Sequence, residues 1–297
     1  MRLAVLADVH ANLPALQAVL ADAQSCGVSG YLVAGDLFAG PQPDECVRLL
    51  QSFGAQMIRG NSDISQLRFA AGEAPPAWAT ARQWALVRWN HAHISADTRA
   101  AVAALPEQRV LAFDATHTIR MVHGSPRSPF EGLDPDLEPQ TLDLALAAVA
   151  EPVLVCGHTH IAWTVERDGR LALNPGAVCG PLNGDVRAQY ALLEWAPACW
   201  HAELRAVPYD LAGIRRAFEE SGLLDEGGPL ARAFLLSIET ARNIGDDFLQ
   251  YAFRLAAEHG HAGCEIVPDE VWERAAAEFD WAGATTHAVS RAPGRPA

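Results

Sequence analysis

Short apolar runs, each stopped by a glycine or a polar residue, alternate with segments of helical spacing over the first sixty positions. Residues 3–7 are the first run, and its length and uniform apolarity predict a buried strand ending at Asp8-Val9-His10. Asn12 and then Pro14 open an Ala/Leu-rich helix to about Cys26-Gly27. Residues 31–34 predict a second strand ending at Gly35-Asp36, and Pro43-Asp44-Glu45 start a helix with Cys46, Leu49, Leu50 and Phe53 on one face. Residues 55–59 predict a third strand, ending at Gly60-Asn61. Three βα units in a row point to an α/β fold.

The pattern then changes. From Ser62 to Leu105 there is no strand signal, and the stretch, rich in Ala and containing Trp78, Trp84 and Trp89, reads as a helical insertion that Pro106 ends. Those tryptophans could stack on a base, but aromatics at such spacing more often pack the insertion's own core. Residues 110–113 and 116–122 predict strands reaching His123-Gly124-Ser125-Pro126, and a Pro- and acid-rich loop (129–139) leads to a helix over 141–150. Residues 153–156 predict a strand ending at Gly157-His158-Thr159-His160. Arg167-Asp168-Gly169 marks a hairpin between 163–166 and 170–173, Asn174-Pro175-Gly176-Ala177 a turn, and 188–195 and 199–207 two more strands. Helices are expected over 211–220, over 229–259 with a break at Gly245, and over 268–281, with a disordered tail from Thr285. The division that follows is a unit over 1–209 carrying a helical cap at 62–105, a helical extension at 210–284 and a tail at 285–297. The extension's apolar positions (Phe234, Ile238, Ala241, Phe248, Tyr251, Leu255) form a docking face that leaves room for a homo-oligomer.

Composition narrows the function. At 297 residues and 50% hydrophobic content the chain can bury a large core, and its net charge of -14 argues against strong nucleic-acid binding by backbone neutralisation. The six cysteines (26, 46, 156, 179, 199, 264) have no C-x-x-C spacing and read as reduced core thiols of a cytoplasmic protein. No window approaches the roughly 20 apolar residues of a membrane span, and no signal peptide is apparent.

The residues that end the expected strands are Asp8, His10, Asp36, Asn61, His123, His158 and His160. Imidazole together with carboxylate suits manganese, iron, zinc or nickel better than magnesium or calcium. Seven such groups exceed one tetrahedral site but suit two ions sharing a carboxylate, a device that clamps both oxygens of an in-line phosphoester displacement. Asp8-x-His10, Gly35-Asp36, Gly60-Asn61-x-Asp63, His123-Gly124 and Gly157-His158-x-His160, in that order, resemble the calcineurin-like metallophosphoesterase superfamily. The stretches from Asp8 to Leu16, His123 to Pro126 and Asn174 to Val178 narrow the likeness to the branch of bacterial phosphodiesterases and diadenosine tetraphosphatase-like proteins.

The resemblance, over about residues 1–209, implies a four-layer αββα sandwich with the ligands on loops at strand ends. It implies that Asp8, His10 and His160 hold a first metal, that Asn61, His123 and His158 hold a second, and that Asp36 bridges. It further implies that a metal-activated hydroxide attacks phosphorus, with manganese favoured over iron, zinc or nickel. The expected partner is a small phosphate ester or nucleotide, whose charge the cations offset. Asn12, Ser62, Asp63, His91 and His93 are candidate substrate contacts.

One departure matters. Where many members carry a leaving-group histidine after the Gly-Asn pair, this chain has Ser62, and a hydroxyl is not an acid near neutral pH. His91 or His93 could supply the acid if the insertion folds over the site. A phosphodiesterase of small nucleotide-like substrates is the expected function. The alternatives are symmetrical cleavage of dinucleoside tetraphosphates and a non-catalytic scaffold on the same fold, which the full ligand set disfavours.

Overall fold

A computed structural model describes residues 1–113, 117–196 and 199–286. Its strands are β1 (Arg2–Leu6), β2 (Gly30–Val33), β3 (Gln56–Met57), β4 (Gln108–Ala112), β5 (Thr118–Val122), β6 (Val153–Val155), β7 (Trp163–Arg167), β8 (Arg170–Asn174), β9 (Ala188–Ala196) and β10 (Cys199–Val207). They form two five-stranded mixed sheets, ordered β10-β9-β1-β2-β3 and β4-β5-β6-β8-β7. In the first, β1, β2 and β3 run parallel and β9 pairs antiparallel with β1. In the second, β5, β6 and β8 run parallel and hairpin partners flank them.

Strand alternation explains the layers. Leu3, Val5 and Ala7 face Ile119, Met121, Val153, Val155, Leu171 and Leu173 in one apolar cluster between the sheets. Ala4 and Leu6, one residue out of phase, face the other way onto Leu16, Val19 and Leu20 of α1 (Leu13–Ser25) and Cys46, Val47 and Leu50 of α2 (Pro43–Ser52). On the far side Val122, Leu154 and Ala172 meet Leu142, Ala145 and Leu146 of α6 (Pro139–Ala147). This is the expected four-layer αββα sandwich. Leu6 and Leu173 are fully buried in it, and truncating either to alanine would cost about 2–5 kcal/mol.

The insertion holds α3 (Asn61–Ala70), two 3-10 turns, α4 (Ala85–His93) and α5 (Ala96–Ala103). Its tryptophans serve packing: Trp78 stacks on Trp84 at 3.9 Å between ring centres, and Trp89 is buried against the helices that follow the sandwich. Those are α7 (Leu211–Glu220), α8 (Leu223–Glu226), α9 (Gly228–Thr240), α10 (Ile244–Glu258), α11 (Asp269–Glu278) and α12 (Trp281–Thr286). No helix among the described residues is long and apolar enough to cross a membrane.

Several expectations need correction. The break between α9 and α10 falls at residues 241–243, not at Gly245: Ala241 turns left-handed (φ 54°) and Asn243 caps α10 by accepting from the Asp246 amide. The break splits the expected apolar face, so Phe234 and Ile238 join one cluster while Phe248 and Leu255 join another around Trp272. Strand β3 is two residues long because the chain bends away, Arg59 donating to the Pro106 carbonyl. Thr285 and Thr286 end a helix, and the rest of the expected tail lies outside the described residues. Only Cys46, Cys156 and Cys179 are buried thiols; Cys199 is exposed, and Cys26 and Cys264 are half-buried.

Asn12, a candidate substrate contact, is used inside the fold. Its side chain is buried, accepts from the Ala15 amide to cap α1, and donates to the Tyr209 hydroxyl at 3.4 Å and towards Cys179 Sγ at 3.5 Å. It therefore ties α1 to the end of β10. Asn12→Ala is expected to lower unfolding free energy by about 1–2 kcal/mol in a urea titration, and an unchanged midpoint would contradict this role.

Candidate metal centre

The parallel strands β1, β2, β3, β5 and β6 end along one edge of the two sheets, and the loops that leave them carry the seven candidate ligands. The backbone there is forced. Asp8, His10, Asp36, His158 and His160 all have positive φ, between 42° and 69°. Each such conformation costs on the order of 1 kcal/mol or more, and its repetition along one edge marks a functional constraint. Gly35 (φ 90°) and Gly60 let two loops touch: a Cβ on Gly35 would lie 2.6 Å from the Gly60 nitrogen, and one on Gly60 would collide with Asp36 Oδ1.

Three histidines are oriented by the main chain. His10 Nδ1 lies 2.9 Å from the Phe38 carbonyl, His123 Nδ1 2.7 Å from that of Ala34, and His160 Nδ1 2.8 Å from that of Gly180. A carbonyl can only accept, so Nδ1 carries a proton and Nε2, once free of any proton of its own, presents a lone pair to the centre. The Nε2 atoms of His10 and His160 then approach to 3.2 Å, and His123 Nε2 lies 2.8 Å from Asn61 Oδ1. His158 enters by its other nitrogen, with Nδ1 2.7 Å from the same amide oxygen. Acceptors facing acceptors at these distances suit a cation between them, so the side chains fit a metal. Asp8, His10 and His160 form one set whose ligand atoms lie within 4.8 Å of one another, and Asp8, Asp36 and His123 form another.

Asp36 lies between the groups. Its Oδ2 is 3.5 Å from His10 Nε2 and its Oδ1 is 3.4 Å from His123 Nε2, while the Ser62 amide donates to Oδ1 at 2.8 Å. Asp8 Oδ1 is 3.5 Å from His160 Nε2 and 4.0 Å from His123 Nε2, and its carboxylate accepts from the His158 amide.

Burial and mutual charge set the protonation of this cluster. Burial lifts the Asp8 carboxyl to about 7 against the pull of His123. Burial would raise Asp36 too, but the charge of His123, its hydrogen bond and His10 hold Asp36 below the usual carboxylate range. Burial disfavours charge on His123, yet Asp36 and Asp8 raise it to about 9. His158 is pushed down to about 4, chiefly by burial and then by His123, and burial likewise lowers His10 and His160.

The remaining candidates divide. Asp63 is fully buried and accepts from the amides of Leu37, Phe38 and Gly60 at 2.9–3.0 Å, which locks the Asp36 loop to the start of α3. Burial, then the neighbouring charge of Asp36, raises its carboxyl to about 7. Ser62 directs its amide at Asp36, and its buried hydroxyl has no partner among the described residues. His91 and His93 have other neighbours. His91 packs edge-on against Phe69, while His93 stacks on Trp89 and contacts its carbonyl. The carbonyls of Ala34, Phe38 and Gly180 orient the site without any side-chain signal in the sequence. Asn174, already conspicuous in its turn, holds the Gly157 carbonyl at 2.7 Å and Thr159 Oγ1 at 3.0 Å.

A model of the calcineurin-like phosphoesterase superfamily domain matches residues 1–197, and the chain belongs to that superfamily. It is 25% identical to an uncharacterized protein of Methanocaldococcus jannaschii over 239 residues, 73% of this chain and 90% of that one. The crystal structure of a metallophosphoesterase from Sphaerobacter thermophilus aligns at 28% identity with a TM-score of 0.65, covering 81% of this chain and 100% of the other. A hypothetical protein of Pyrococcus horikoshii shares the fold at 21% identity and a TM-score of 0.64, over 76% and 95% of the two chains.

The protonation pattern has a measurable consequence. His123 sits above its ordinary 6.5 in the folded chain, so its pairing with Asp36 stabilises fully below about 6.5 and is lost as pH rises through about 9. A metal must displace that proton, so its apparent affinity is expected to rise about tenfold per pH unit between 7 and 9. Scanning calorimetry with manganese should therefore give a larger Tm increase at pH 8.5 than at pH 6.5. An equal or smaller increase would contradict the assignment.

Proposed function

We propose that this chain hydrolyses phosphodiester bonds of small, nucleotide-like substrates with two divalent cations, manganese favoured, held by the seven strand-end residues. On this reading Asp8, His10 and His160 hold one cation, Asn61, His123 and His158 hold the other, and Asp36 serves both. The observation that carries it is Asp36, one carboxylate that offers a separate oxygen to each histidine group at 3.5 and 3.4 Å. The catalytic unit would span 1–209, with 62–105 as a cap and 210–284 as an extension.

Bound divalent cations supply positive charge against the phosphoryl oxygens and make water acidic enough to act as a nucleophile near neutral pH. The chain's own residues supply order. Imidazoles fixed by backbone carbonyls need no rearrangement when a ligand arrives, and buried carboxylates hold their negative charge away from solvent. The polar side chain that follows Asn61 is the Ser62 hydroxyl, which cannot protonate a leaving oxygen near neutral pH. Substrates with stabilised leaving groups follow: aryl diesters, cyclic nucleotides or nucleoside polyphosphates.

With added manganese, Asp36→Asn should lower kcat/KM on a bis-aryl phosphate by at least about 100-fold. The test runs that substrate beside an aryl monophosphate, a cyclic nucleotide and a dinucleoside tetraphosphate. No turnover of any of the four by the metal-loaded wild type would make the chain a binding scaffold instead. Ser62→His should raise activity on simple alkyl monoesters above that of the wild type; an unchanged rate would remove the leaving-group argument.

A further inference from the structure

The rings around the candidate ligands are almost all histidines. His10 packs against His160, and His123 against His158. Among the described residues one other ring meets any of the seven, and it comes from outside the sandwich: Phe234, in the middle of α9, meets His10 edge-on at 5.5 Å between centroids and 79° between planes. Phe234 is half-buried, backed by Phe218 at 6.0 Å, so part of its surface is solvent-accessible.

The same helix braces a loop of the site. A Cβ on Gly180 would lie 3.5 Å from Ile238 Cγ1 and 3.8 Å from Phe234 Cε2, and the Gly180 carbonyl is the acceptor that orients His160. Gly180 has a positive φ of 65°. Helix α9 also anchors the next part of that loop, since the Gly184 amide donates to the carbonyl of Ala241, which closes the helix. Phe234 is thus fixed beside the His10/His160 half of the cluster by contacts on two sides.

We propose that Phe234 is a specificity residue that takes a flat aromatic group carried on a phosphate ester, and that α9 is therefore part of the site. The inference rests on the phosphodiester reading above. A phosphate bound by a cation on His10 and His160 would bring a ring joined through its ester oxygen near Phe234, whose ring centre is 5.5 Å from that of His10. The seven candidate ligands themselves are carboxylates, imidazoles and an amide, groups that suit cations and, through them, a phosphate. An aromatic substituent can pack on the Phe234 ring, and an alkyl ester gains less there. The shared ligand chemistry is an aromatic ring on a phosphate, whether aryl or nucleobase.

The experiment measures competitive binding to the full-length, manganese-loaded protein by inorganic phosphate, phenyl phosphate and adenosine monophosphate, in wild type, Phe234→Leu and Phe234→Trp. Manganese affinity is measured by calorimetry in each. Leucine keeps the packing against Phe218 and Ile238 while removing the ring. Phe234→Leu is expected to weaken phenyl phosphate about five-fold, leave phosphate and manganese unchanged, and be restored by Phe234→Trp. A matching loss for adenosine monophosphate identifies the substituent as a nucleobase, and a loss for phenyl phosphate alone as an aryl group; either supports the inference. Equal weakening of phosphate and phenyl phosphate, or a loss of manganese affinity, would show that Phe234 only positions His10 and would overturn it. If wild type hydrolyses aryl diesters but the leucine variant binds all three ligands as wild type does, this inference alone fails. If wild type binds none of them with manganese in place, the phosphodiester reading fails as well.

Discussion

Three imidazole N–H groups are held by main-chain carbonyls, and much of this site depends on them. Ala34, Phe38 and Gly180 each accept from an Nδ1, which fixes the ring orientation and turns three Nε2 atoms into a common volume. Those carbonyls are available because the chain leaves its parallel strands through tight, left-handed turns instead of continuing the ladders. The cost of five positive-φ side-chain-bearing residues is met by the surrounding sandwich, whose two sheets and two helical layers enclose three apolar clusters. Asp63 shows how rigidly the turns are joined, with one buried carboxylate satisfying amides from the Asp36 loop and from Gly60.

The same arrangement resolves an electrostatic problem. Burying Asp8, Asp36 and Asp63 side by side is unfavourable, and the rise of Asp8 and Asp63 to about 7 records that strain. In a chain of net charge -14 an anionic substrate would be repelled unless local positive charge were supplied. Cations between the ligands would relieve both difficulties at once. The helices beyond the sandwich bring one aromatic ring, Phe234, to 5.5 Å from His10 between ring centres.

Much of this was legible in the sequence because the signals were local. Apolar runs ending in Asp8, Asp36, Asn61, His123 and His158 located the strands to within a few residues, and the order of the motifs pointed to the fold. What was not legible depends on contacts between distant segments. The Asn12 side chain serves as a cap of α1 and a tether to Tyr209, a residue far along the chain. The ring neighbours of His91 and His93, Phe69 and Trp89, come from packing that no motif signals. Gly245 seemed the natural helix breaker, but Asn243 capping from outside the helix decided the boundary. Phe234 lies far along the chain from His10, and no periodicity could have joined them.

In the proposed centre Asp36 stands between two cations. Anomalous diffraction at the manganese edge from metal-soaked crystals tests it directly. Two peaks are expected about 3.5–4 Å apart, one on the side of His10 and His160 and one on the side of His123 and His158, each within bonding distance of an Asp36 oxygen. A single peak, or two peaks of which one does not touch Asp36, would contradict it.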